Sequence, residues 1–328
     1  MEIPLVRLGG LEMPLMEPES TNKKLLYIQD LFKKYGEKVV LDNIDLSVAD
    51  GELCTVVGPS GCGKSTLLRI ILGQDAPTRG KILLDGAGVG FPGPDRGIVY
   101  QKYSLFPHLS SLQNVVLGKK LSVGLFERWR RRKEFLEEGV FFLEKMGLRD
   151  HLDKLPHQLS GGMQQRVALA QALIMKPRML LMDEPFGALD PGTREGMQIF
   201  LLELWEEFDM TVFFVTHDLE EAVFLGTRII VMSQYYTDDR GQNYHGRGAR
   251  IVADYALPRR ATSTVAKETP EFGKLIQQIR RDGFDPDYIK HVTQFNLRHE
   301  DSFQTLTHEE DHRVPPREDD ALAEEQEE

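Results

Sequence analysis

Long hydrophobic runs are missing from this sequence. Its greasiest stretches, such as Val212 to Val215 and Ile229 to Met232, are four residues long, far short of the roughly 18–20 that a membrane-spanning helix needs. The opening MEIPLVRLGG lacks a basic stretch followed by an apolar core, so no secretory signal is expected and a cytoplasmic chain is. Cysteine is scarce as well. Cys54 and Cys62 are too few for a disulfide framework and join no Cys/His cluster of zinc spacing, so both are expected to be reduced thiols. A basic excess is also absent. Residues 309–328 hold ten acidic and two arginine residues, a net −8 of the chain's −11, which leaves −3 for everything before. A nearly neutral body gives no electrostatic reason to expect nucleic acid, and the acidic end reads as a solvated, disordered tail.

Short apolar runs are plentiful. LLYIQDL, VVLDNIDLSV and ELCTVVG predict strands, separated by turns at Tyr35–Gly36 and Asp50–Gly51. A helix is expected from about Gly63, with STLLRIILG as its apolar body, followed by a strand at KILLDG. From about Ser104 to Gln158 the pattern turns helical, and LEEGVFFLEKMGL has helical spacing with Gly147 placed to cap it. QQRVALAQALI and MQIFLLELWEEF predict helices, and MLLMD, MTVFFVTHD and RIIVM strands. Alternation of this kind predicts an α/β fold with a largely parallel sheet, helices on its faces, and an inserted helical region. Past residue 235 the pattern weakens. TDDRGQNYHGRGARIVADYALPR reads as a hairpin with a glycine-rich tip, and TPEFGKLIQQIRRDGF as a helix opening after Pro270.

The segment GPSGCGKST comprises Gly58, Pro59, Ser60, Gly61, Cys62, Gly63, Lys64, Ser65 and Thr66, and follows the apolar strand ELCTVV directly. Glycines let successive backbone N–H groups turn inward around phosphate oxygens, and the next helix adds the positive end of its dipole. Lys64 can reach the β- and γ-phosphates, and the Ser65 hydroxyl can ligate Mg²⁺. MLLMDEP supplies the other half. Asp183 at the end of a buried strand can hold the magnesium shell, and Glu184 can orient and polarise an attacking water. The two segments together predict a P-loop nucleoside triphosphatase.

LSGGMQQR, from Leu159 to Arg166, places Ser160, Gly161 and Gly162 at a second anion-binding helix start. Here the chain resembles the ABC ATPases over about residues 25–235. That resemblance implies a RecA-like core, and a head-to-tail pair in which Ser160 and Gly162 press on the γ-phosphate held by the opposite P-loop. It also implies roles for single residues. Tyr35, 29 residues before Lys64, stacks on adenine. Gln101 lies near Mg²⁺ and the permease contact. Asp190 of FGALD crosses the dimer interface, and His217 hydrogen-bonds the γ-phosphate and holds the water–Glu184 geometry. Met163 departs from the usual glutamine at that place, which puts one polar contact in doubt and leaves the loop's phosphate role.

GPDRG before Gln101, with LSGGMQQR, DEPFGALD and THDLEEAV, is most similar to the ATPases of nitrate, taurine, sulfonate and bicarbonate importers. The expected partners are a second ATPase subunit (identical or a close paralogue), integral membrane permease subunits and a periplasmic substrate-binding protein. The expected place is the cytoplasmic face of the membrane, and the expected cofactors are ATP and Mg²⁺. A soluble ABC ATPase acting on ribosomes or DNA would carry two cassettes or long coiled coils, and a P-loop kinase or GTPase would not need LSGGMQQR. The expected divisions are a flexible leader at 1–23, the ATPase domain at 24–235 with its helical part at about 104–160, an accessory region at 236–306, and the acidic tail at 307–328. The basic run Arg128–Lys133 reads as a solvated helix face balanced by Glu134, Glu137 and Glu138, with lipid phosphates or the permease as other partners.

Overall fold

The computed structural model describes residues 5–8, 11–14, 24–101, 105–241, 246–257, 270–307 and 310. Residues 242–245, inside the expected hairpin, and nearly all of the acidic tail lie outside the described residues. Within the expected leader, β1 (Leu5–Leu8) and β2 (Leu11–Pro14) pair as a two-stranded antiparallel sheet.

The first two predicted strands are β3 (Lys24–Tyr35) and β4 (Lys38–Ala49). Gly36 and Glu37 join them, and Gly36 takes a left-handed φ of +57°. So tight a connection forces an antiparallel pair. Next come β5 (Leu53–Val57), α1 (Lys64–Leu72), β6 (Arg79–Leu84) and β7 (Ala87–Gly88). β4, β3, β6 and β7 form a separate antiparallel sheet in that order, so these strands stand outside the parallel core that the alternation suggested.

After β8 (Arg96–Tyr100) the helical insertion follows as α2 (Ser111–Leu121), α3 (Leu125–Arg130) and α4 (Arg132–Lys145), and leads to α5 (Gly161–Leu173). Ser110 and Gln113 close a reciprocal capping box at the start of α2, and Gly147, at φ +66°, ends α4 where the sequence placed a cap. Then β9 (Met179–Asp183), α6 (Pro191–Phe208), β10 (Thr211–Val215), α7 (Leu219–Leu225) and β11 (Arg228–Ser233) alternate as expected. β12 (Tyr236–Thr237), β13 (Arg250–Ala256), α8 (Pro270–Phe284), β14 (Lys290–His291) and β15 (Asn296–Leu297) complete the described chain.

The central sheet runs β15-β13-β11-β5-β10-β9-β8. β11, β5, β10, β9 and β8 are mutually parallel, while β13 runs antiparallel to β11. Side chains alternate between its faces. Leu53, Leu180, Val212 and Phe214 pack toward α5 and α6, whereas Cys54, Leu181, Phe213 and Val215 pack toward α1 and the antiparallel sheet. Two covered faces explain why these strands read as continuous apolar runs. Both cysteines are free and buried, as expected.

Past residue 235 one expectation is corrected. Among the described residues of 237–259 no hairpin pairs; RIVADYA, as β13, pairs with β11 instead. Within the expected accessory region, β13 and β15 extend the central sheet itself. The physical link is Arg228, fully buried, whose guanidinium donates to both oxygens of Asp254 on β13 at 2.9 and 2.6 Å.

Candidate functional site

Strand register fixes the site before any side chain is considered. Asp183 stands level with Val215 on one side and Tyr100 on the other, and Val215 is level with Val56. One step further along, Gln101, Glu184 and Thr216 leave their strands side by side, with Gly58 and His217 a residue beyond. Ligands of open parallel sheets bind at this carboxyl edge.

Gly58 cannot be another residue. At φ +157° a Cβ there would stand 2.2 Å from the Met232 carbonyl oxygen. Gly63, at φ +111°, is confined by Leu41 and Val40. Lys64 folds back over the loop and donates from Nζ to the Gly58 carbonyl at 2.7 Å and the Pro59 carbonyl at 3.0 Å. Its ammonium is thus held beside the loop's amides. Cys62 points inward and burial pushes its thiol pKa up, so it serves the loop through its backbone. Ser60 and Gly61 are exposed at the loop's tip. The Tyr35 hydroxyl donates to Asp75 and neighbours Thr66, which sets its half-exposed ring beside the first turn of α1.

The Ser65 hydroxyl donates to Asp183 Oδ1 at 3.1 Å. Burial raises the Asp183 carboxyl above its ordinary range; the Ser65 hydrogen bond opposes this, and the adjoining Glu184 adds to it. Two oxygen donors so close, one a carboxylate in need of positive charge, fit a hard cation such as Mg²⁺. Glu184 has a left-handed φ of +48°, a conformation that costs a non-glycine residue about 1–3 kcal/mol. Its amide donates to the Val215 carbonyl at 2.9 Å, and its Oε2 lies 3.3 Å from His217 Nδ1. The kink therefore turns Glu184 away from Asp183 and toward His217. Gln101 is exposed and leans over the next turn, its Nε2 3.3 Å from where a Cβ of Gly187 would sit.

Ser160 caps α5, accepting from the Met163 amide at 3.3 Å, and Asp190 caps α6, accepting from the Thr193 amide at 3.0 Å. These two helix starts touch, since a Cβ at Gly162 would stand 2.6 Å from Thr193 Cγ2. Ser160, Gly161 and Asp190 are thus exposed side by side, over the buried Gly162. Among the described residues Ser160 makes no hydrogen bond to residues 58–66.

Hydrogen bonds among Thr216, Gln198, Glu221 and Asp218 hold the loop that carries His217. Thr216 Oγ1 donates to Glu221 Oε2 at 2.6 Å, Gln198 Nε2 donates to Glu221 Oε1 at 3.0 Å, and the Asp218 amide donates to Thr216 Oγ1 at 3.0 Å. Burial raises the Glu221 carboxyl, and the hydrogen bonds from Thr216 and Gln198 work against that. The spacing Asp218-x-x-Glu221 ahead of an apolar run was a legible helix-start signal, although Glu221 turns to Thr216 instead of its own N-cap. Beside this loop a cavity of about 420 Å³ is walled by His217, Asp218 and, from α8, Ile276, Arg280 and Phe284.

Comparison with known proteins gives a consistent result. The family model described as ABC transporter matches residues 41–187. An uncharacterised ABC transporter ATP-binding protein of Methanocaldococcus jannaschii is 45% identical over 261 residues, 79% of this chain and 91% of that protein. A nitrate import ATP-binding protein of Synechocystis is 42% identical, covering 75% of this chain and 88% of its own length. A taurine import ATP-binding protein of Pseudomonas aeruginosa is 40% identical, covering 80% and 95%. Among solved structures, a dimeric ATP-binding cassette in a post-hydrolysis state with ADP and Pi superposes with a TM-score of 0.58 at 31% identity, over 72% of this chain and all of that one. The cbiO1 protein of Clostridium perfringens, part of an ABC transporter complex, gives 0.61 at 25% identity over 79% and 95%.

Proposed function

The chain belongs to the ABC transporter family of ATP-binding proteins, and from that premise we propose that it powers import of a small anion through a separate membrane permease. As an ATPase of this family it works in a pair and with permease subunits. Nitrate and taurine importers among its relatives support an anionic solute such as nitrate, a sulfonate or bicarbonate. A substrate-binding protein on the far side of the membrane, and a place for this chain on the cytoplasmic face, belong to the same reading. Among the described residues no helix is long and apolar enough to cross a membrane, and attachment through the permease is part of this proposal.

One observation carries the mechanism: two pairs meet at the carboxyl edge of the sheet, Ser65 with Asp183 at 3.1 Å and Glu184 with His217 at 3.3 Å. ATP lies with its adenine on Tyr35 and its phosphates in the loop Gly58–Thr66, against backbone amides and Lys64. Ser65 and Asp183, with Gln101 beside them, would hold Mg²⁺, which when bound offsets phosphate charge. Glu184 orients the attacking water and draws on its proton, and His217 keeps Glu184 and the γ-phosphate in register. Ser160, Gly161 and Gly162, with Asp190 next to them, cover the nucleotide held by a second copy. ATP thus closes the pair and hydrolysis releases it, a rigid-body switch that the permease converts into access from alternate sides.

Replacing Glu184 by Gln keeps the shape and removes the base. ATP binding should survive, turnover should fall about 100-fold or more, and ATP should trap a dimer visible by light scattering. Turnover at the unmodified rate would remove Glu184 from this role. Recovery of the chain from mild detergent only with an exporter-type membrane protein would overturn import.

A further inference from the structure

We infer that α3 and the start of α4 form a membrane-surface patch, setting Leu125, Phe126 and Trp129 among the headgroups of an anionic bilayer. The patch is far from the nucleotide site in sequence and goes beyond the ATPase reading. Leu125 is 80% exposed, Phe126 72% and Trp129 78%, and Leu121 at the end of α2 is 65% exposed. No residue of α3 is buried, so the core has no use for these apolar side chains. They are nonetheless held in place: Arg128 Nε donates to the Lys120 carbonyl at 2.8 Å, which fastens α3 back onto the end of α2. The result is an exposed short helix fixed to the end of α2.

Charge selects the partner. Residues 119–133 contain seven lysines and arginines and a single acid, Glu127, in a chain of net charge −11. Glu127, Glu134 and Glu137 pair with Arg130, Arg131 and Lys133, but Arg132 has no carboxylate partner among the described residues. Tryptophan, phenylalanine and leucine beside arginine is the combination that sits at a bilayer interface, with rings at headgroup depth and guanidinium groups on lipid phosphates. Basic side chains add attraction only where the leaflet is anionic. A permease loop would have to supply acids to meet the same surface, and that makes it the rival outcome of the test.

The full chain is mixed with vesicles of phosphatidylcholine alone and of phosphatidylcholine with phosphatidylglycerol, and binding is read by flotation and by tryptophan emission. Trp205 is 9% exposed and donates to the Gly51 carbonyl, so a blue shift reports Trp129. The expected result is flotation and a blue shift with phosphatidylglycerol only, both reversed by salt. Arg130→Glu with Arg132→Glu should lower vesicle affinity at least about tenfold. Leu125→Ser with Phe126→Ser should abolish the blue shift. Both pairs should leave melting temperature and basal ATPase rate unchanged. No binding at low salt, or equal binding to both vesicle types, would overturn the inference. So would wild-type protein that ignores vesicles while either double variant loses a co-purifying permease.

Discussion

A methyl group at Gly162 would collide with a single atom, Thr193 Cγ2, at 2.6 Å. That makes two roles of the glycine separable. Gly162→Ala should lower stability by about 1–3 kcal/mol through overpacking, and Thr193→Ser, which deletes the colliding methyl, should restore much of it. ATPase activity should not return with stability if Gly162 also approaches phosphate closely. Melting curves and turnover of the single and double variants check this, and full recovery of both would leave Gly162 a packing residue alone. At this scale the motifs were legible because their chemistry is local in sequence: Gly58 to Thr66 carry their turn, amides and cation within one loop. The left-handed Glu184, at φ +48°, was not legible, since its amide donates to the Val215 carbonyl on another strand, a partner remote in sequence. Gln198 was hidden for a similar reason, its partner Glu221 lying 23 residues away on a different helix.

Strands announced themselves, but their neighbours did not. RIVADYA contains Arg250, Asp254 and Tyr255, all of them buried in β13. Charged residues are seldom fully buried, so a sequence reading sends such a segment to the surface. What reverses the rule is Arg228 on β11. It donates to both Asp254 oxygens, to the Ser47 carbonyl at 2.7 Å and to Glu52 at 3.2 Å, so one guanidinium ties three strands and a turn. Asp254 in turn accepts from Ser302 at 2.5 Å. Removing the cation leaves the buried Asp254 carboxylate with the Ser302 hydroxyl and no charge partner. Arg228→Met should therefore cost about 3–5 kcal/mol in chemical unfolding, and Arg228→Lys less, because it keeps the charge and loses the fork. A cost under 1 kcal/mol for Arg228→Met would mean that the ion pair is not what holds β13.

For the whole molecule, the boundary that composition suggested at residue 235 is not a mechanical one. The break is real in sequence, where apolar periodicity fades, yet the sheet continues through β13 and β15 and the core extends with it. Val252, Ala253 and Tyr255 pack with Ile229, Val231 and Ile279, joining β11, β13 and α8 in one cluster. A chain ending at residue 235 would expose the edge of β11 and strand Arg228 without Asp254. It should aggregate or melt on the order of 10 °C or more below the full chain, whereas a chain ending at residue 310 should melt where the full chain does. If instead the 1–235 chain melted normally, the later region would be an independent attachment. The cavity that α8 completes against His217 sharpens the contrast. A point substitution at Ile279, fully buried on α8, should lower stability and disturb the His217 loop together, because the helix that covers β11 is the one that lines the cavity beside His217.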